Sequence, residues 1–216
     1  MRLYKYIKVN ANKTQSQVIQ LFEAKRIKVN NNYVSFTYLI KENDIVTIDD
    51  EIIKSKKLQY FLYNKPKGII SDIKNRDNSY INYIDLDIKL MPCGRLDKDS
   101  EGLMILTNDG KFINDVLSNK TEYEKEYIVT VEKKIDDSFI ENIKKPIMIK
   151  NKKTLPIKAY KIDDYTINMI LQDGRYHQIR RIIKNASNKV LNLQRIRIGP
   201  YTLGDLKLGE IREIKR

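Results

Sequence analysis

Apolar residues recur along the chain with two different periods, and the change falls near residue 57. Within residues 14–26, Val18, Ile19, Leu21 and Phe22 share one face of a helix, with Thr14 as N-cap and Lys25 and Arg26 as a basic last turn. Two short runs follow, residues 27–29 and 33–36, joined by Asn30, Asn31 and Asn32. Asparagine tolerates the positive φ of a tight turn, so this stretch predicts a hairpin. Residues 44–48 supply a third strand, and a polar stretch from Asp49 to Lys57 closes a first unit, residues 1–55.

From residue 58 the strands lengthen. Residues 58–66 form an aromatic-rich strand ending at Pro66, and Gly68 opens a short one. Residues 103–106 are continuously apolar, as in a buried central strand. Asp109 or Asn108 can cap a helix over 111–117; residues 126–131 and 166–171 read as strands, 176–183 as a basic helix, and 190–198 as a strand with outward arginines. The sum is an α+β architecture: a small first unit, then a second, residues 58–216, built on a mixed, mostly antiparallel sheet.

Charge narrows the function. The chain carries 41 Lys+Arg against 28 Asp+Glu, a net +13, unevenly spread. Residues 1–57 hold 11 bases against 6 acids, residues 58–174 hold 19 against 19, and residues 175–216 hold 11 against 3. A merely solvated surface gives no reason for two basic ends around a neutral middle, so a polyanionic partner is expected. No apolar run approaches the ~18–20 residues of a membrane span, and MRLYKYIKVN has no signal-peptide core. One cysteine, Cys93, excludes an internal disulfide, and with the lone His177 it cannot complete a zinc shell. These features predict a cytoplasmic protein with no metal site and no membrane partner.

The segment GRLDKDSEG concentrates acids and bases between two apolar runs. Gly94 and Gly102 permit sharp turns at either end, and Leu96 should point inward, leaving Arg95 and Asp97 together on the opposite face. Asp97 is then either a reactive carboxylate beside a guanidinium or a loop acid capping backbone amides; the residues alone leave both open.

Five segments, FLYNKPKGIIS, GRLDKDSEGLMILTNDG, EKEYIVTV, GRYHQIRR and VLNLQRIRIGPYTLGDLKLGE, resemble in order and spacing those of the RsuA-like pseudouridine synthases. The resemblance implies isomerisation of uridine in ribosomal RNA, needing no cofactor, by a monomer acting on the RNA or on a ribosome assembly intermediate. It implies that Asp97 is the catalytic aspartate that starts glycosidic cleavage. Arg180 would pair with it, since an adjacent guanidinium stabilises a partly buried carboxylate. Tyr127 would stack on the target base, Leu193 would floor the pocket, and Arg95 would fill the gap left by the extruded uridine. Lys65, Lys67, Arg175, Arg181, Arg195 and Arg197 are expected to face phosphate. The corresponding position varies among subfamilies at His177, for which a structural or RNA-contacting role is expected; Cys93 is expected to serve packing only.

The first unit resembles the S4 RNA-binding domain through MRLYKYI, KRIKVNN and ENDIVTID, which implies RNA contacts by Lys25, Arg26 and Lys28. It departs from many such domains in having Thr14, Gln15 and Ser16 where arginines are common. RDNSYINYI, the KDS within GRLDKDSEG and FINDVLSNKTEYEKEYIVTVEKKIDDSFI look like the branch that modifies 23S rRNA; RYHQIRR looks like the 16S branch. The longer stretches favour 23S. A non-catalytic ribosome-associated S4 protein shares the charge pattern but predicts erosion at Asp97, Tyr127 or Arg180, and none is eroded. A metal-dependent nuclease would need a carboxylate cluster from separate elements, for which nothing in the sequence speaks.

Overall fold

The computed structural model describes residues 1–72, 77–84, 86, 88, 90–118 and 123–215, and the chain divides into two units, Met1–Lys57 and Leu58–Arg216. In the first unit the elements are α1 (Leu3–Asn10), α2 (Gln15–Glu23), β1 (Ile27–Val29), β2 (Val46–Ile48) and β3 (Glu51–Ile52). Helix α1 was not anticipated: its one buried stripe is Leu3 and Ile7, an i,i+4 pair inside a charged stretch that reads as alternation. Thr14 does cap α2 through a reciprocal capping box with Gln17, the two bonds being 3.3 and 2.8 Å. The helix ends at Glu23, because Lys25 takes a left-handed φ of 52°, so Lys25 and Arg26 follow the helix rather than forming its last turn. Ile19, expected on the inner face, is exposed.

The hairpin is also different from the expected one. Asn30 and Asn31 make the left-handed turn, with φ of 50° and 62°, but β1 pairs with β2, Ile27 opposite Ile48 and Val29 opposite Val46. Residues 33–36 stay irregular. Phe36 instead stacks on Tyr4 at 4.9 Å and meets Phe22 edge-on at 5.0 Å, so its half-buried ring packs against the core of the unit rather than on a strand face.

The second unit runs β4 (Tyr60–Lys65), β5 (Met91–Pro92), β6 (Glu101–Thr107), α3 (Gly110–Leu117), β7 (Lys125–Val131), α4 (Asp137–Lys144), β8 (Met148–Ile149), β9 (Lys152–Lys153), β10 (Lys158–Lys161), β11 (Thr166–Leu171), α5 (Gln178–Asn185), β12 (Val190–Ile198), β13 (Tyr201–Thr202) and β14 (Ile211–Ile214). Its main sheet has the order β10-β11-β7-β12-β6-β4-β14. Among the described residues β12 and β6 are its only parallel pair. Residues Leu103 to Leu106 of central β6 are fully buried, each worth about 1.5–3 kcal/mol of apolar transfer. Asp109 caps α3 by accepting from Lys111 N and Phe112 N. Gly68 lies in a turn rather than opening a strand; residue 70 makes only an isolated bridge to Ser79.

Candidate active site

The segment between β5 and β6 is pinned from several sides. Gly94 and Gly102 take φ of 90° and 108°. At Gly102 a Cβ would stand 2.3 Å from the Arg195 carbonyl oxygen, so glycine there allows β12 to approach β6. Leu96 is buried as expected, and Ser71 Oγ both accepts from Leu96 N (3.1 Å) and donates to Leu96 O (2.8 Å). Gly68 N donates to Lys98 O, and Ser100 N donates back to Asp97 O. The result presents the Asp97 carboxylate, about one-third exposed, on a fixed turn.

Facing it is the N-terminal turn of α5. Arg180 Nε lies 3.9 Å from Asp97 Oδ2, an ion pair rather than a hydrogen bond, while its NH2 group donates to Asp99 O and Ser100 Oγ at 3.1 and 3.2 Å. His177 Nε2 lies 3.5 Å from Asp97 Oδ1. His177 is the N-cap of α5 in a left-handed conformation, φ 53°, and its side chain makes no capping bond, which frees the imidazole to face the carboxylate. The sequence reading did not place His177 here. The signal was available in part: His177 stands three positions before Arg180, at the start of the same helix. Also missed were Asp173 and Gln178, both buried. Gln178 Nε2 donates to Asp173 Oδ1 at 2.6 Å and its Oε1 accepts from Arg175 N at 2.8 Å, which ties residues 173–178 into one rigid loop.

Tyr127 and Leu193 complete the concavity. Strands β7 and β12 set Leu193 opposite Val129 and Arg195 opposite Tyr127, so Tyr127 and Leu193 are diagonal neighbours on one sheet face. One pocket is lined by Arg95, Asp97, Tyr127, His177, Arg180 and Leu193 together with adjoining loop residues. Arg95 is exposed at its rim, with no acid among the described residues in ion-pair range.

The expected phosphate-facing cations divide sharply. Lys67 is exposed. Lys65 is not: it is fully buried, its Nζ donating to Pro66 O (2.8 Å) and Ile69 O (2.9 Å). Burial, and then the nearby Arg195, push its pKa down to about 8 against the opposing pull of Asp97, Asp99 and Glu101. Arg195 is also buried, Nε donating to Leu103 O at 2.7 Å and NH1 to Arg95 O at 3.4 Å. Both cations answer backbone carbonyls: Lys65 those of the turn after β4, and Arg195 those of Leu103 in β6 and of Arg95 in the acidic turn. Arg197 pairs with Glu126 at 2.5 Å; burial works against the Glu126 carboxylate, but hydrogen bonds from Asn168 and Arg197 hold its pKa below the usual value. Arg175 forks onto Lys152 O and Lys153 O, and Arg181 is half-buried beside Tyr176. In the first unit Arg26 pairs with Asp49 and Lys28 with Asp50, while Lys25 is exposed. Cys93 is buried, which pushes its thiol up to about 12.

The family model described as RNA pseudouridylate synthase matches residues 59–185, which hold every pocket residue named above except Leu193. The chain belongs to that family. It is 34% identical to a ribosomal small subunit pseudouridine synthase A of Haemophilus influenzae, over 99% of this chain and 96% of that protein. It is 32% identical to a dual-specificity RNA pseudouridine synthase RluF of Escherichia coli, over 99% of this chain and 75% of that one. A crystal structure of a pseudouridylate synthase superimposes with a TM-score of 0.71 at 32% identity, covering 100% of this chain and 96% of that chain. As an RNA pseudouridine synthase the enzyme catalyses an isomerisation: the C1′–N1 bond of uridine breaks, C1′–C5 forms, the C5 proton leaves and N1 gains one. Among the described residues no three His, Cys, Asp or Glu are grouped to hold a metal, and no helix is long and apolar enough to cross a membrane.

Proposed function

We propose that this enzyme converts uridine to pseudouridine in ribosomal RNA with Asp97 as its catalytic carboxylate. The observation that carries this is convergence: Asp97, Tyr127, Arg180 and Leu193, from four separate segments, line one pocket. Asp97 acts on the ribose while Arg180 pairs with it and holds its turn in place. Tyr127 gives the detached base a π-face to rotate against, and Leu193 packs beside it, keeping the base from solvent. Arg95, at the rim, takes the place of the extruded base in the RNA stack.

The test is a map of pseudouridines in both ribosomal RNAs from cells with and without the protein, and with Asp97→Asn. One uridine should depend on the protein and stay unmodified with Asp97→Asn, while the variant's RNA affinity stays within a few-fold. Full modification by Asp97→Asn overturns the assignment.

The same map decides the subunit. Large-subunit RNA is favoured by the runs around residues 76–84 and 112–140, although residues 76 and 119–122 of those runs lie outside the described residues. Small-subunit RNA is favoured by RYHQIRR and by the Haemophilus relative. The first unit is read as an S4-like RNA-binding unit; neutralising Lys25, Arg26 and Lys28 together should weaken RNA binding and flatten its salt dependence.

A further inference from the structure

Tyr176 is 61% exposed and stands between Arg175 and His177, both of which line the pocket. Its ring is stacked on that of His177, with centroids 3.9 Å apart and planes within 18°. His177 in turn reaches to 3.5 Å from Asp97. The carboxylate, the imidazole and the phenol ring therefore follow one another outward from the reacting centre. Other tyrosines are as exposed, Tyr33 also at 61%; what sets Tyr176 apart is this stacking toward Asp97.

Cations surround this ring. Lys150 Nζ and Arg181 Cζ lie over it, 5.9 and 5.8 Å from the centroid. Those distances are near the outer limit of a cation–π contact, so both heads are weakly held and can turn to a phosphate. The support is nonetheless rigid. Lys150 stands at the tip of the β8–β9 hairpin, where it and Asn151 adopt left-handed conformations, φ 49° and 60°. Arg175 fastens that hairpin to the loop carrying Tyr176, donating to Lys152 O and Lys153 O at 2.6 Å each, with its Nε 3.0 Å from Asp173 Oδ2.

We propose that Tyr176, backed by His177, is a stacking platform for the unpaired RNA base next to the target uridine, with Lys150 and Arg181 binding the adjoining phosphate. The proposal rests on the synthase reading of the pocket. A base drawn out of a duplex leaves its neighbour unstacked, and an aromatic face beside the pocket replaces the lost stacking. Such a platform supplies affinity and registers the strand, and it tolerates any base because every base has a π-face.

The test uses the intact protein and a synthetic RNA spanning the mapped uridine. The fragment is made in three forms: intact, with an abasic ribose 5′ of the target, and with one 3′ of it. On intact RNA, Tyr176→Leu is expected to raise KM about five-fold to a hundred-fold, the range of one base–aromatic stack, with kcat within about three-fold. Tyr176→Phe should stay within about three-fold in KM, since the ring rather than the hydroxyl makes the contact. Removing the contacted neighbour base should raise the wild-type KM similarly and cause no further rise for Tyr176→Leu. A thermal melt matching wild type excludes misfolding at this exposed position. If the wild type converts no uridine in the intact fragment, the synthase reading falls and the platform with it. If the wild type converts it, three outcomes overturn the platform alone: an unchanged KM for Tyr176→Leu, losses that add at both neighbours, or Tyr176→Phe behaving like Tyr176→Leu.

Discussion

Replacing Gly102 by alanine should be far more damaging than replacing Gly68, although both glycines have positive φ, 108° and 85°. Holding a non-glycine residue in such a conformation costs about 1–3 kcal/mol at either place. The surroundings differ. At Gly68 nothing lies within 4 Å of the new methyl, whereas at Gly102 it would meet the Arg195 carbonyl oxygen at 2.3 Å and the Arg195 nitrogen at 2.7 Å. Both are backbone atoms, so no side-chain rotation relieves the clash, and β6 and β12 must part by roughly 1 Å to restore ordinary contact. Parting them weakens the parallel ladder at Gln194–Glu101 and Arg195–Gly102, at about 1 kcal/mol per hydrogen bond. It also pulls the charged Arg195 Nε from Leu103 O, worth about 1.5–3 kcal/mol.

Gly102→Ala is thus expected to cost about 4 kcal/mol or more, and at least ~2 kcal/mol beyond Gly68→Ala. The entropy that alanine removes from the unfolded chain is common to both variants and cancels in the comparison. The chain has 14 tyrosines and no tryptophan, so urea unfolding is followed by far-UV circular dichroism and tyrosine emission. At a slope of about 2 kcal/mol per M, the midpoint for Gly102→Ala should fall about 1 M below that for Gly68→Ala. Midpoints within about 0.3 M of each other would refute the close-approach argument.

Other consequences can be measured directly. Lys65, with a folded pKa of about 8, releases its proton before the unfolded chain does; between that value and the usual lysine value the unfolded state binds more protons, so wild-type stability should rise with pH. About 2 kcal/mol of that rise falls between pH 7 and 9.5, and it should be absent from Lys65→Met when unfolding is compared over that range. Lys67→Ala should lower the slope of log affinity against log salt by about one unit, whereas Lys65→Met should leave that slope unchanged. Ser71→Ala removes both bonds that fix Leu96, so it should cost about 1–3 kcal/mol in urea unfolding and lower kcat more than KM.

The elements with unambiguous patterns were legible before any coordinates. Strands β11 and β12 fall on the predicted residues, β6 contains the predicted buried run, and the helix capped by Asp109 is present. Helix α1 was not legible, because a two-residue stripe carries too little periodicity. The partner of β1 was misread because a local hairpin competes with a longer-range strand, and Phe36 packs its ring on Tyr4 and Phe22 instead of pairing in a strand. In the site, residue type misled more than position. Lys65 and Arg195 look like surface cations, yet their burial answers the carbonyls of Pro66, Ile69, Leu103 and Arg95. For Asp97 the residues alone left a reactive carboxylate and a loop cap equally open, and no local pattern gave its proximity to His177 and Arg180.

The division of cations resolves an apparent conflict in the design. A turn carrying Asp97, Asp99 and Glu101 should repel an RNA backbone, yet the proposed reaction would bring that RNA against Asp97. Lys65 and Arg195 are spent on buried carbonyls, Arg180 on Asp99 O and Ser100 Oγ of the turn, and Glu101 is engaged by Asn192. Attraction must then come from further out, from exposed Arg95, Lys67, Lys98 and Lys150 and half-buried Arg181 around the rim. The net +13 therefore overstates the charge available to RNA. Arg26 and Lys28 differ from the buried cations in this respect. Their exposed ion pairs are worth about 0–1 kcal/mol, so a phosphate can displace Asp49 or Asp50 at little cost, whereas nothing on RNA can reach Lys65 or Arg195. Burial, rather than charge or sequence position, separates the cations that build the site from those that can bring RNA to it.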